Sequence, residues 1–347
     1  GTDINEAFIG HARQGGCGPN PARQVAHRAG VPFESPAMTI NQACASSTRA
    51  ITLAYRGIQN GEGEVYLVGG MESMSNTPYM LPRARWGYRL GHAEVVDGMY
   101  RDGFLCPIAD QLMGRTAETL AEQYDISRDE QDQYAVQTQQ RAGAAKERFA
   151  EEITPVQIKA RKGQTVDFVD DEHMRPDATV EKMAKLPPVF KENGTVHAGN
   201  SSGITDGAAA AIVLSEAAAK RLNVEPMARI VDFTNVGVDA RIMGIGPVPA
   251  TRQLIDKTGI GLDQIDVIEL NEAFAAQILA CHRELKFDME KTNVNGGAIA
   301  LGHPIGCTGT RICVTLLHEM ARRKVKYGLA TLCVSGGLGM AILFERL

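Results

Sequence analysis

The sequence predicts an α/β fold built from two related halves with a long insertion between them. Residues 37–70 alternate strand, helix and strand, which is the pattern of a parallel sheet. Residues 228–347 show the same alternation, whereas residues 74–204 mix irregular and helical segments. A chain of 347 residues also exceeds the size of a usual single core, so more than one folding unit is expected.

A weak internal echo supports two related halves. A Thr-Arg pair at a helix start and a Gly-Gly pair at the end of the next strand occur at 48–49 and 69–70, and again at 310–311 and 336–337. The regular alternation of α/β proteins would produce such a match by chance about as readily. The echo alone therefore leaves both explanations open.

Hydrophobic periodicity and turn residues predict the individual elements. They are strands over 37–40, 65–68, 205–215, 266–270 and 330–334, and helices over 48–60, 116–150 and 273–283. Ser127 followed by Glu130 has the spacing of a capping box at the start of a helix.

The composition excludes several classes of protein. Hydrophobic residues make up 44% of the chain and charged residues 22%, as in ordinary globular proteins. The net charge of −5 offers no general attraction for nucleic acid. The longest clean apolar run, 208–214, is too short to span a bilayer, and no secretory signal opens the chain. Seven scattered cysteines favour a reducing compartment, which we expect to be the cytoplasm.

Cys44 lies between the strand at 37–40 and the helix that follows. The positive end of a helix dipole lowers the pKa of a thiol and makes more of the reactive thiolate available. The small residues at 45–47 leave space for a substrate. Cys44 is therefore a candidate nucleophile, although an arbitrary cysteine is more often a buried structural residue.

A glycine-dense segment at 295–306 contains His303. Glycines let the backbone approach a ligand closely, and a histidine there could act as a general base or donate to an oxyanion. We expect the following helix to begin near Thr308. His303 and Cys307 stand four residues apart, but the proline and glycine between them argue against a helix and no third ligand is near, so no metal site is expected.

Two further candidates follow predicted strands. Cys333 ends the strand at 330–334 and precedes a glycine run, and active sites of α/β sheets usually lie at strand C-termini. Asn271 follows the strand at 266–270 and could cap the next helix or hold a water or a carbonyl. The GxSxG match at 199–203 is not a hydrolase nucleophile elbow, because a strand rather than a helix is predicted after it.

Five segments together resemble the thiolase family, the acetyl-CoA acetyltransferases and 3-ketoacyl-CoA thiolases. In chain order they are Cys44-Ala45-Ser46-Ser47, His197-Ala198-Gly199-Asn200-Ser201-Ser202-Gly203, Asn271-Glu272-Ala273-Phe274, Asn295-Gly296-Gly297 running to Gly302-His303-Pro304-Ile305-Gly306, and Cys333-Val334-Ser335-Gly336-Gly337. The resemblance covers essentially the whole chain. It implies a thiolase-like fold of two similar α/β halves forming a five-layered αβαβα core with an inserted loop domain. The implied N-terminal half is 1–73 with 205–225, the inserted loop domain is 74–204, and the C-terminal half is 226–347.

The resemblance implies a role for each catalytic candidate. Cys44 resembles the nucleophile that becomes acylated, and His303 resembles the base that activates it and a donor to an oxyanion. Cys333 resembles a second acid/base thiol. Asn271 resembles the residue that orients a water in one oxyanion hole, and the backbone N–H groups of Cys44 and Ser335 resemble the other hole.

Five more residues resemble contacts to coenzyme A (CoA). Ser202 resembles a contact to the pantetheine arm, and Arg175 resembles a basic residue near the adenine end. The apolar neighbours of pantetheine or the acyl group would be Leu186, Met113 and Phe190. The implied substrates are acyl-CoA thioesters, with no permanently bound cofactor.

Three departures from the family pattern stand out. The family's opening strand and helix have no counterpart before Gly1, so one strand of the first sheet would be missing. Leu112 stands where many acetoacetyl-CoA enzymes have His, which weakens a short-chain-only assignment. Ser335 replaces a common Gly, which keeps the N–H but constrains the backbone angle.

The expected function is that of a CoA-dependent acyltransferase. It would run the Claisen condensation of two acetyl-CoA molecules, or thiolysis of 3-ketoacyl-CoA, by a ping-pong route through acyl-Cys44. The rival is a non-catalytic subunit that only assembles with partners, and the intact reactive positions argue against it. We expect a homodimer or homotetramer without nucleic-acid or membrane partners. Residues 80–97 are either a tetramerisation loop or an ordinary solvated basic loop.

Overall fold

The computed structural model describes residues 2–159 and 163–347, so residues 160–162 of the expected insertion lie outside the described residues. In chain order the strands are β1 (Glu6–Gly10), β2 (Ala37–Ile40), β3 (Val65–Glu72), β4 (Tyr79–Met80), β5 (Val96–Asp97), β6 (Leu105–Cys106), β7 (Gln111–Leu112), β8 (Val156–Lys159), β9 (Thr165–Phe168), β10 (Gly207–Leu214), β11 (Ala228–Gly237), β12 (Val267–Leu270), β13 (Tyr327–Val334) and β14 (Leu338–Arg346). The helices are α1 (Pro21–Arg28), α2 (Ser46–Gln59), α3 (Met113–Gln123), α4 (Arg128–Ala144), α5 (Lys146–Phe149), α6 (Val180–Met183), α7 (Glu216–Leu222), α8 (Pro247–Thr258), α9 (Ala275–Leu285), α10 (Ala298–Leu301) and α11 (Ile305–Arg323).

The first sheet joins three strands from the start of the chain to the strand that follows the insertion. Its order is β10-β3-β1-β2. β1 pairs in parallel with β2 and β3, and β10 runs antiparallel to β3. Because α1 and α2 return the chain between these parallel strands, the carboxyl ends of β1, β2 and β3 meet at one edge. The parallel arrangement predicted for the strands of residues 37–70 is confirmed, and the antiparallel β10 makes the sheet mixed.

The second sheet is formed entirely by the last third of the chain. Its order is β11-β14-β13-β12, with β12 and β13 parallel and the other neighbours antiparallel. Nearly every residue of β12 and β13 is buried, as expected for strands covered on both faces. Because β12 and β13 are parallel neighbours, their carboxyl ends also meet at one edge of the sheet.

Helices α2 and α11 lie between the two sheets and contact each other. α2 packs on β1 and β3, whereas α11 packs on β3 and β10 of the first sheet and on β12 and β13 of the second. The hydroxyl of Ser47 donates to the carbonyl of Cys307 (2.9 Å) and accepts from the N–H of Thr310 (2.8 Å). A Cβ on Gly309 would overlap the Thr48 hydroxyl. The two Thr-Arg pairs of the internal echo, at 48–49 and 310–311, therefore lie where the two central helices contact each other.

Outer helices complete five layers, as the fold class predicted. Successive residues of β1 point to opposite faces, so Ala7 packs beneath Ala26 of α1 whereas Phe8 enters the central core. On the far side of the molecule α8 packs on β11, β13 and β14. Within the described residues no helix combines the length and the apolar character needed to cross a membrane.

The insertion packs on the second half through helices. α3 and α4 both contact α9. The capping box is confirmed, since Ser127 Oγ accepts from the Glu130 N–H (3.2 Å) and Glu130 Oε2 accepts from the Ser127 N–H (2.8 Å). The helical segment predicted over 116–150 consists of α3, α4 and α5, because Asp125 at φ 49° follows the end of the first helix before the capping box starts the next.

Candidate active site

Cys44 lies in a sharp turn between β2 and α2. Ala43 just before it has φ 45°, the left-handed conformation that residues with a Cβ avoid, and its N–H is held by Asn41 Oδ1 (3.0 Å). α2 begins two residues after Cys44. This turn aims the thiol at the carboxyl edge of the first sheet, where it is 8% exposed.

His303 approaches the same point from the second half. Its Nε2 lies 3.2 Å from Cys44 Sγ, which is hydrogen-bond distance for sulfur. Gly302 before it has φ 91°, and α11 begins two residues after it. The predicted helix start near Thr308 is therefore wrong by three residues, because Pro304 serves as N-cap, where its missing N–H costs nothing.

Hydrogen bonds to Thr308 assign the tautomer of His303. Thr308 Oγ1 donates to the carbonyl of Pro304 (3.0 Å), so it accepts from His303 Nδ1–H (2.6 Å). The lone pair of Nε2 then faces the thiol of Cys44. Both ring nitrogens have protein partners, and Cys307 is not one of them.

Burial keeps both groups neutral before reaction. It raises the pKa of the Cys44 thiol, an effect opposed by the backbone N–H of Ser335, the charge of Arg13 and the thiol's own backbone N–H. Burial and the charges of Arg311 and Arg13 lower the pKa of His303 to about 3. A neutral imidazole can accept the thiol proton, so the pair is suited to generate a nucleophile on demand.

Cys333 and Ser335 reach the same site from the end of β13. Cys333 is fully buried, and burial followed by the neighbouring Cys44 thiol raises its pKa well above the usual range. The backbone N–H of Ser335 lies near the Cys44 sulfur and lowers the pKa of its thiol, against the effect of burial. Gly336 and Gly337 follow with φ 89° and 86°, and a Cβ on Gly337 would overlap the carbonyl of Val238. Only glycine fits that tight exit from the strand.

Asn271 does not cap the next helix, which was one of its two possible roles. Phe274 is the N-cap of α9, and the buried side chain of Asn271 finds no partner for its oxygen or its nitrogen within the part of the chain that the structure describes. A buried amide with free donor and acceptor atoms is suited to hold a water or a substrate oxygen.

Four of the five candidate CoA contacts lie close together. Ser202 is half-buried and its N–H donates to the carbonyl of Ala273 (3.0 Å). The ring of Phe190 lies edge-on to that of Phe274 at 6.1 Å. The ring of Phe190 also packs on Gly114, next to Met113, and the side chain of Leu186 packs on Gly199, three residues before Ser202.

The fifth candidate, Arg175, is exposed on the neighbouring segment. Its Nη1 donates to the carbonyls of Glu172 (2.9 Å), His173 (2.9 Å) and Met174 (2.8 Å). The ring of His173 packs on Gly203, next to Ser202. Arg175 is therefore an exposed residue two positions after His173.

The sequence reading missed three residues of the site: Thr308, Glu72 and Arg13. Glu72 at the end of β3 accepts from the N–H of Gly306 (2.9 Å), and Arg13 follows the end of β1. The position of Glu72 at the end of β3 was the signal that would have found it, whereas Thr308 within α11 and Arg13, a residue type that is usually solvated, offered none.

Models of known families match the chain along nearly all its length. The model for the N-terminal domain of thiolase matches residues 1–217, and the model for the C-terminal domain of thiolase matches residues 224–346. The chain belongs to the thiolase family. Its membership accounts for the two sheets and the paired central helices described above.

Individual relatives agree with this assignment. An acetyl-CoA acetyltransferase of Pseudomonas aeruginosa is 52% identical over 345 residues, which are 99% of this thiolase and 88% of that protein. The crystal structure of Bacillus anthracis acetyl-CoA acetyltransferase superposes with a TM-score of 0.96 at 46% identity, covering 99% and 88% of the two chains. Human mitochondrial 3-ketoacyl-CoA thiolase in complex with CoA superposes with a TM-score of 0.94 at 43% identity, covering 99% and 87%.

Proposed function

We propose that this thiolase is an acetyl-CoA C-acetyltransferase or acyltransferase that works through an acyl-Cys44 intermediate. It condenses two acetyl-CoA molecules reversibly, or cleaves 3-ketoacyl-CoA with CoA. The observation that carries the proposal is the 3.2 Å approach of His303 Nε2 to the thiol of Cys44. The names of the relatives support the substrate class.

The first half-reaction transfers the acyl group to the enzyme. The Cys44 proton moves to His303 Nε2, the sulfur attacks the thioester carbonyl, and the bond to the CoA sulfur breaks. The CoA sulfur takes a proton from Cys333. Oxyanion charge is stabilised by the backbone N–H groups of Cys44 and Ser335, since fixed donors in a buried site need no reorganisation.

The second half-reaction forms the carbon–carbon bond. The Cys333 thiolate removes a proton from the methyl group of a second acetyl-CoA. The resulting enolate, stabilised by His303 and a water held by Asn271, attacks the acyl carbon. The Cys44 sulfur leaves and takes its proton back from His303, so the enzyme returns to its starting state with one CoA released in each turnover.

Substrate binding is assigned to the cluster beside Phe274. Ser202 would contact the pantetheine arm, and Leu186, Met113 and Phe190 would line its apolar wall. Arg175 at the exposed end would attract the phosphates near the adenine. Two features support this assignment. Ser202, Leu186, Met113 and Phe190 lie around the segment that contains Phe274, and the basic residue Arg175 is exposed to solvent beside them.

We also propose a homodimer or homotetramer in the cytoplasm. The segment between β4 and β5 exposes large apolar side chains, with Trp86 87% and Leu90 99% exposed. Such side chains are unusual on a free surface and favour a subunit contact over an ordinary solvated loop. All seven cysteines are free thiols, which suits a reducing compartment.

Acetyl transfer to Cys44 tests the proposed function. Brief exposure to acetyl-CoA followed by peptide mass spectrometry should place an adduct of about 42 Da, one acetyl group, on the peptide that contains Cys44. Cys17→Ala is the matched control, because Cys17 is half-exposed and would capture non-specific acetylation. The Cys44 adduct should persist in that variant, and a parallel assay should show thiolysis of acetoacetyl-CoA.

An adduct found only on Cys17 or Cys307 would contradict the proposal. Cys44 acetylation without turnover of any 3-ketoacyl-CoA would instead favour the non-catalytic subunit. A series of substrates from acetoacetyl-CoA to long-chain 3-ketoacyl-CoA would then define the acyl chain length.

A further inference from the structure

Arg13 places an unpaired positive charge beside the catalytic thiol. It follows β1 as Cys44 follows β2, and these neighbouring strands are parallel, so both residues lie at one edge of the sheet. Arg13 is only 5% exposed, and among the described residues its Nε and Nη2 have no hydrogen-bond partner. A buried guanidinium without partners is costly unless a negative charge forms near it.

Residues 100–104 form a covering segment that packs on this guanidinium. The central carbon (Cζ) of the Arg13 guanidinium lies 5.5 Å from the ring centre of Phe104, which is a cation–π distance. A Cβ on Gly103 would overlap the guanidinium, so only glycine leaves room for it there. Arg13 is thus fixed by packing and not by a carboxylate.

The nearest buried carboxylate, Glu72, is occupied by other donors. Its Oε2 accepts from the N–H groups of Gly306 (2.9 Å) and Ala12 (3.2 Å), and its Oε1 accepts from the backbone N–H of Arg13 (2.9 Å). His11 Nε2 lies 3.3 Å from the same Oε1. These contacts hold the Glu72 carboxylate with backbone N–H groups and His11, and none of them involves the guanidinium of Arg13.

We propose that Arg13 is a positioning residue that stabilises the thiolate form of Cys44 and offsets the fixed negative charge of Glu72. The buried guanidinium of Arg13 lacks an anion in the resting protein. The Cys44 sulfur becomes that anion once the thiol proton has moved to His303 Nε2. This inference rests on the proposed role of Cys44 as nucleophile.

The electrostatics of the surrounding groups agree in sign. Burial raises the pKa of Cys44, the charge of Arg13 lowers it, and the charge of Glu72 raises it. The other groups facing Cys44 are His303 and Cys333, and Asp102 faces Arg13 from the covering segment. Arg13 also lowers the pKa of His303, so it disfavours the imidazolium while it favours the thiolate.

Alkylation of Cys44 by iodoacetamide as a function of pH tests this role, because only the thiolate reacts. Arg13→Met should react about tenfold more slowly near pH 8 and shift the profile to higher pH, whereas Arg13→Lys should keep most of the wild-type rate. Arg101→Met is the matched control, since Arg101 is an exposed arginine on the same covering segment, and its profile should equal that of wild type.

Thermal melting separates this effect from misfolding. Replacing an unpaired buried charge by an apolar side chain should leave the melting temperature of Arg13→Met unchanged or higher. If that variant does not fold, Arg13→Gln removes the charge with a polar side chain instead. A neutral variant with the wild-type profile, or a Lys variant as slow as the neutral one, would overturn the inference. Alkylation needs no CoA, so failure of acetyl transfer in the wild type would count against the proposed function alone.

Discussion

The turns that begin the two central helices have the same design and carry different chemistry. In each turn a residue with positive φ, Ala43 at 45° or Gly302 at 91°, precedes the side chain that enters the site. In each, the helix begins two residues later. The first turn presents a thiol and the second an imidazole, and their side chains meet at 3.2 Å. The two halves therefore each contribute one member of a Cys–His pair.

The two sheets differ in a second way, at their edges. Each contains a parallel pair followed by an antiparallel strand: β1, β3 and β10 in the first, and β12, β13 and β14 in the second. In the second sheet β11 covers the outer edge of β14, whereas among the described residues β10 pairs with β3 alone. β14 is accordingly a continuous buried run, while β10 alternates in burial and leaves Ile212 48% exposed.

The largest effects are expected from the two thiols of the site, which come from different halves. Cys44→Ala should abolish acetyl incorporation from acetyl-CoA. Cys333→Ala should retain acetylation of Cys44 but lose condensation by about a hundred- to ten-thousand-fold, the usual contribution of a general acid–base group. Exchange of the methyl hydrogens of acetyl-CoA with deuterated water measures the second role directly. Exchange at the wild-type rate in Cys333→Ala would show that His303 handles both proton transfers.

The two turns should respond with very different losses of stability to exchange of Ala and Gly. Gly302→Ala is expected to lower the free energy of unfolding by about 3 kcal/mol, because its φ is forbidden to alanine and the new Cβ would overlap Thr205. Ala43→Gly removes a strained φ and should change the free energy of unfolding by less than about 1 kcal/mol. Urea unfolding of both variants measures the difference. If both variants lost the same free energy of unfolding, the backbone strain at Ala43 and at Gly302 would not be equivalent, as their positive φ angles suggest it is.

The smallest effect is expected at the less covered strand. Ile212→Thr on β10 should change the free energy of unfolding by about 0.5 kcal/mol or less, because the side chain already faces solvent. Ile342→Thr on β14, where the side chain is fully buried, should cost about 2 kcal/mol or more. Comparable losses at the two positions would show that β10 is covered in solution, for example by another subunit.

Much of the architecture follows from local sequence. The strand at 37–40 has the predicted bounds, the capping box at Ser127 forms as its spacing requires, and the alternation of elements gives the predicted parallel strands. These features depend on periodicity and on contacts within one turn, which a sequence displays directly. The resemblance to thiolases added specific roles for the catalytic candidates, and these roles remain predictions that the variants above test.

Tertiary structure decided everything that depends on residues distant in the chain. Cys44 and His303 are 259 positions apart, so only the packing of α2 against α11 brings their side chains together. The tautomer of His303 follows from Thr308, and the free amide of Asn271 follows from the start of α9 at Ala275. Arg13 gave no sequence signal of its own, since an arginine is usually a solvated surface residue. Its burial beside a thiol arises from the covering segment and the sheet edge, and burial is what turns a common charge into one that acts on its neighbours.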